Sequence, residues 1–219
     1  MKFVLAKEHH DFFDLNGFIE FEGLISPEVI RTLSKSIQRL VANKINCLPE
    51  RLPFEESLNL FLEGRDLWRQ SDIVRKQVIH NNLATIASSL IRERPIRLSL
   101  DQWIPAGIEF KNPVTFEQIF PVQGILAGAF IALESALGDE ERAFFPREAG
   151  NIVFVKPDTI IPFDQLTKER AQSMLLIVYG SRKSVYIHNE TDPLTHYLKS
   201  QGYVYGDRLS DSQHPLLLQ

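Results

Sequence analysis

The sequence predicts an α+β fold in which a β-sandwich or jelly roll is buttressed by helices, and three observations predict it. Helical periodicity is confined to the stretch before Pro95. Alternation with a period of two begins at Ile96. From there, short runs of β-branched and aromatic residues recur between Gly, Pro and Asp, as strands do. Helices first and strands afterwards is the order of an α+β domain, not of alternating β and α units.

A chain of 219 residues can bury roughly 70% of the surface its unfolded form exposes, so a single domain over residues 1–219 is expected. Hydrophobic residues make up 44% and charged residues 24%, an ordinary globular mixture that argues against disorder and against a membrane protein. A formal charge of −4 gives no general attraction to phosphate backbones or anionic membranes. Cys47 is the only cysteine, so no intrachain disulfide can form, and a reducing cytoplasm is the expected location. Phe3-Val4-Leu5-Ala6 is too short for a signal-peptide core. The longest apolar run, Ile125 to Leu133, falls short of the roughly 20 residues of a membrane span.

In order along the chain, His9 to Asp14 predicts a short helix, and Gly17 turns it into a strand from Phe18 to Phe21. Ser26-Pro27-Glu28 is a helix start: a serine cap, proline at the first position and a carboxylate at the positive end of the dipole. Ile30, Leu33, Ile37, Leu40, Val41 and Ile45 then share one face. Asn46 to Glu55 reads as a loop, and Leu58, Leu60 and Leu62 alternate as a strand would. Ser71-Asp72 caps a helix running to His80, whose imidazole suits the negative helix end. Leu83, Ile86, Ala87, Leu90 and Ile91 make another helix, closed by Pro95.

From Ile96 the alternation places Ile96, Leu98 and Leu100 on one face and Arg97, Ser99 and Asp101 on the other. Further strands are expected at Gly107 to Phe110, Gln123 to Leu133, Arg142 to Phe145, Ile152 to Val155, Thr159 to Phe163, Ser173 to Tyr179 and Ser184 to His188. Asp192-Pro193 repeats the cap-then-proline signature before a last short helix with Leu194, Tyr197 and Leu198.

Four segments in order carry a likeness: Asn16-Gly17-Phe18-Ile19 with Ser26 and Glu28, Arg97 to Trp103, Ala129 to Glu134, and Gly150-Asn151-Ile152-Val153-Phe154. Together they resemble the phytanoyl-CoA dioxygenase family of iron(II)/2-oxoglutarate oxygenases, over about Phe12 to Tyr179. The resemblance implies a double-stranded β-helix core. It also implies two histidines and a carboxylate on one face of iron, with open positions for 2-oxoglutarate and oxygen.

The first histidine and the carboxylate belong between Glu109 and Gly124, where the chain has Thr115-x-Glu117 and no histidine; Glu117 is the remnant able to ligate a cation. The second histidine belongs between Thr159 and Phe163, where Ile160, Ile161 and Pro162 stand. An arginine for the far carboxylate of 2-oxoglutarate matches Gln172 by its distance from Tyr179, with Arg170 two residues earlier.

Elsewhere, His188-Asn189-Glu190 is the one His-x-carboxylate, and His196 follows within reach of a turn. Arg65, Arg69, Arg75, Lys76, Arg92, Arg94 and Arg97 are the basic concentration. The leading expectation is a binding or regulatory protein on this fold, a pseudoenzyme with a degenerate metal site, no cofactor, and a ligand or protein partner still to be named. A second keeps catalysis: Glu117 with His188 or His196 holds a displaced metal, Fe(II), and Arg170 holds 2-oxoglutarate. A third is a metal-responsive regulator that binds nucleic acid through the arginines, against which the negative net charge argues.

Overall fold

One antiparallel sheet divides the apolar side chains into two clusters, and both of its faces are buried. The computed structural model describes residues 5–108, 110, 114–136, 144–163 and 172–218. Helices α1 (Lys7–Asn16), α2 (Pro27–Lys44), α3 (Ser57–Glu63), α4 (Asp72–Val78) and α5 (Asn81–Ile91) are set around strand β1 (Phe18–Phe21). There follow β2 (Ile96–Ile104), a short α6 (Phe116–Ile119), β3 (Val122–Ala132), β4 (Ile152–Val155), β5 (Met174–Tyr186) and β6 (Leu216–Leu217). The six strands lie in the order β1-β4-β3-β5-β2-β6, and every neighbouring pair is antiparallel. Helices preceding an antiparallel sheet make this an α+β fold.

The helical layer forms as its sequence dictates. The Ser26 hydroxyl accepts the Val29 N–H at 3.4 Å, Pro27 opens α2, and Ile30, Leu33, Ile37 and Val41 turn inward. They meet Leu83, Ile86 and Leu90 of α5 and Ile177 and Tyr179 of β5 in one cluster. Burying each such side chain is worth about 1.5–3 kcal/mol. Ser71 caps α4 in the same way, accepting the Val74 N–H at 3.3 Å.

Several elements differ from expectation, each for a local reason. Leu58 to Leu62 is helical, not a strand, because α3 buries the adjacent pair Leu60 and Phe61 and leaves Leu58 exposed, a pattern of period two cannot do. His80 stands at the start of α5, not at the end of α4: its Nδ1 accepts the Asn82 N–H at 3.3 Å. The loop before α3 contains a 3-10 turn at Pro49–Phe54. Thr159 to Phe163 contributes one isolated bridge, Val114 to Ile161, in place of a strand. Gly107 to Phe110 forms no strand among its described residues, and Arg142 falls outside them. The two strands expected at Ser173–Tyr179 and Ser184–His188 are one continuous β5, and the last helix is a 3-10 turn at Tyr197–Gln201.

A bulge at Ser99 breaks the expected alternation in β2. Leu98 pairs with Tyr179 but Leu100 pairs with Val178, so one residue of β2 is extra. Ile96 and Leu98 therefore join the helical cluster, whereas Leu100 and Ile104 join the cluster on the other face. Gly180 accommodates the bulge, since a Cβ there would overlap the hydroxyls of Ser99 and Ser184.

Gly128 in β3 has the same role on the second face, where a Cβ would overlap the Phe116 ring. The Gly128→Ala variant is expected to lose about 1–3 kcal/mol of stability. Urea unfolding followed by circular dichroism measures it, with an unchanged m-value expected.

Candidate functional site

Phe116, Phe120 and Ile161, from the two stretches where the resemblance places metal ligands, pack beneath the second face of the sheet. Thr115 caps α6, which turns Phe116 and Ile119 inward and leaves Glu117 and Gln118 in solvent. The interior is occupied by rings. Phe116 stacks with Phe120 and Phe130 at centroid distances of 6.1 and 5.9 Å, Phe130 stands edge-on to Phe145 at 5.3 Å, and Phe145 meets Phe163 at 6.1 Å. Ile161 is buried among them, and its N–H donates to Val114 O at 2.8 Å; Ile160 faces solvent. Glu117 is therefore held on the outer side of α6, away from this interior.

Gln172 is fully buried, and its Nε2 donates to the carbonyls of Glu134 at 2.6 Å and Arg147 at 3.3 Å. That pairing ties the start of β5 to the segments around β3 and β4. Arg170 lies outside the described residues.

His188, Glu190 and His196 are all exposed. The structure brings the two imidazoles together, with ring centroids 5.9 Å apart, and the Tyr205 hydroxyl lies 2.7 Å from His196 Nδ1. Asn189 donates to the Glu117 carbonyl at 3.0 Å, so α6 reaches the same region through its backbone. Among the described residues, no three His, Cys, Asp or Glu side chains are grouped to hold a metal. Glu117 and Glu190 thus do not complete a site with the histidine pair.

The buried charges were not legible in the sequence. Arg65 and Asp192 are each 2% exposed and form a two-pronged ion pair at 2.8 and 3.2 Å. Arg65 also donates to Gln102 Oε1 at 2.9 Å and lies over Phe120 at 5.2 Å. Asp192, expected as a helix cap, does accept the Leu194 N–H at 2.9 Å, but its principal partner comes from the far end of the chain. Arg97 donates to the His214 carbonyl and, at 2.6 Å, to Asp211. With Arg65 committed to a buried pair and the buried Arg97 paired with Asp211 at the surface, the arginine concentration is not one surface patch.

Asp101 is buried beside Asp66, and both effects push its carboxyl well above the usual range. The N–H groups of Leu67 and Trp68, each at 3.2 Å, hold it in place. His214 is also buried, with Nδ1 2.8 Å from Ser99 O, and burial pushes its pKa down to about 4.

A cleft of about 600 Å³ opens where the ends of β2 and β3 and the start of β5 meet α2, the 3-10 turn and α3. Leu52, Phe54, Leu60 and Trp103 provide apolar lining, and Gln38, Glu50, Glu55 and Glu134 provide polar lining. The Trp103 indole N–H is buried without a hydrogen-bond partner among the described residues.

No protein-family model and no curated protein matches the sequence. Solved structures do match. The non-heme alpha ketoglutarate dependent carbocyclase SnoK from nogalamycin biosynthesis aligns with a TM-score of 0.69 at 17% identity, over 98% of this chain and 97% of that one. The non-heme alpha ketoglutarate dependent epimerase SnoN from nogalamycin biosynthesis aligns with a TM-score of 0.71 at 18% identity, over 97% and 98%. The chain has the fold of the alpha ketoglutarate dependent non-heme enzymes. CytC3 solved with Fe(II) and alpha-ketoglutarate shares it, with a TM-score of 0.57 at 14% identity over 98% of this chain and 88% of that one.

These comparisons contradict the expectation that this chain is to be read without a cofactor. SnoN is solved in complex with Fe3+, alpha ketoglutarate and nogalamycin RO, and CytC3 with Fe(II) and alpha-ketoglutarate. They stand closer to the metal-dependent alternative than to a non-catalytic role. At the positions named by the resemblance, however, the residues present do not fit either group. Thr115, Ile160, Ile161 and Pro162 offer no imidazole, and phenylalanine rings occupy the interior.

Removing one partner of the buried pair leaves the other charged and desolvated. Asp192→Ala is expected to cost about 3–5 kcal/mol, measured by chemical denaturation. For His214, the folded pKa of about 4 lies below the ordinary 6.5, so the unfolded chain binds more protons between those values. Its contribution is complete above pH 6.5 and is lost as pH falls towards 4. His214→Gln is expected to flatten the fall in stability across that window, by up to about 1.4 kcal/mol per pH unit, read from urea midpoints at stepped pH.

Proposed function

We infer that this chain, a divergent relative of the phytanoyl-CoA dioxygenases on a double-stranded β-helix or jelly-roll core, acts by binding a small organic molecule in the cleft beside Trp103. The observation that carries this reading is the contrast between two places. The interior beneath the second face is packed with Phe116, Phe130, Phe145 and Ile161, whereas the cleft offers about 600 Å³ with a mixed apolar and polar lining. Ligand sites of this size and composition are the common pattern in proteins.

Nile red, a neutral dye that brightens in apolar surroundings, tests it. Saturable binding with one site is expected, and Ser57→Trp, which fills the cleft from the first residue of α3 and gives up the hydroxyl's bond to the Ala106 carbonyl at 3.0 Å, is expected to abolish it while the far-UV circular dichroism of the folded protein is retained. Dye binding that survives the plug would place the apolar site elsewhere and defeat the reading.

A second reading keeps metal-dependent chemistry at a displaced position. It is supported by the approach of His188 and His196 to 5.9 Å and by the iron and alpha-ketoglutarate held in the fold neighbours CytC3 and SnoN. Two exposed imidazoles supply nitrogen donors suited to a divalent transition metal. Fe(II) and 2-oxoglutarate added without oxygen should then give a stoichiometric visible absorption band that is lost in the His188→Ala/His196→Ala double variant. A band that persists in the double variant, or no band at all, counts against it.

A further inference from the structure

We propose that the cleft takes an organic cation with an apolar body, a protonated alkyl or aryl amine. This rests on the cleft being the binding site and adds the chemical class of its ligand. The lining carries three carboxylates, Glu50, Glu55 and Glu134, and among the described lining residues there is no lysine, arginine or histidine. The chain's formal charge is −4, so this concentration of one sign in a concave site is stronger than the average surface supplies.

The rest of the wall fits the remainder of such a molecule. Trp103 and Phe54 offer ring faces, which attract a cation and also accept an alkyl chain. Phe54 is 80% exposed, and Leu48 and Leu58 beside it in sequence are 69% and 45% exposed, so unpartnered apolar surface adjoins the cleft. The neighbouring Arg51 already lies over the Phe54 ring, 5.9 Å from its centroid, which shows this ring accepting a guanidinium.

One further observation separates the site from a mere acidic surface. Glu134 is held in place, its Oε1 accepting the Ser173 hydroxyl at 3.1 Å while its carbonyl accepts from Gln172 at 2.6 Å. A carboxylate already fixed in the lining loses less freedom when it pairs with an ammonium.

Three probes with one body separate charge from apolar fit: n-octylammonium, octanol and octanoate. Each is titrated into protein carrying 15N in its two tryptophans, with Trp68→Phe assigning the Trp103 indole resonance. Octylammonium is expected to shift that resonance saturably and to bind about fivefold or more tightly than octanol, with octanoate weaker still. Glu50→Gln/Glu55→Gln is expected to remove the preference and leave octanol binding in place. Octanol or octanoate binding as tightly as octylammonium, or a preference that survives the double variant, overturns the cationic class while the cleft stands. Absence of a saturable shift with all three probes overturns both.

Discussion

Burial of both faces of the sheet is the constraint on which the rest depends. A sheet covered on one side leaves alternate side chains in water, but β5 is apolar from Met174 to Tyr179 without a polar break, and all six residues are fully buried. Something must therefore cover the second face. The helical layer takes one side, and α6 with the phenylalanines from Phe116 to Phe163 takes the other. The same packing that makes the second face stable fills the described part of its interior with phenylalanine and isoleucine side chains.

Placing charges inside such a structure demands full pairing. Arg65 meets that demand through Gln102 and Asp192, and Arg97 meets part of it through the terminal segment at Asp211 and His214. The contacts to Asp192, Asp211 and His214 join residues more than a hundred positions apart in the chain. They secure the segments that follow β5 to the sheet edge, where apolar burial alone would be thin. An ion pair of this kind is weak evidence of net stability but strong evidence of a fixed arrangement.

The sequence carried the helices and strands whose patterns are local. Ser26-Pro27, Ser71-Asp72, Gly17 and the runs at Ile152 and Ile125 stated their roles through caps, turns and β-branched content. It misread Leu58 to Leu62, where three leucines at alternate positions imitate a strand while the burial of neighbouring Leu60 and Phe61 requires a helix. It could not show the bulge at Ser99, because the extra residue is defined by the partner strand and by the absent side chain of Gly180. Of the candidate sites, the approach of His188 to His196 was readable from spacing. The cleft was not: Gln38, Phe54, Trp103 and Glu134 come from separate elements, and no local pattern links them. Comparison at the level of the fold agrees with the sequence resemblance in one respect: CytC3 and SnoN, which share the fold, are solved with iron and alpha-ketoglutarate.

β2 would be the outer strand of the sheet but for what lies along it. Leu216 and Leu217 pair with its first two residues, and Leu98 N–H reaches Pro215 O at 3.0 Å. At its other end, Trp103 N–H reaches Gly64 O at 2.7 Å and Asp66 N–H reaches Asp101 O at 2.9 Å. A two-residue strand from the end of the chain and an irregular stretch from before the sheet thus occupy parts of a border that would otherwise offer free amides to a foreign strand. The molecule is in this way protected against templated self-association along that border, with coil taking over where the short β6 stops.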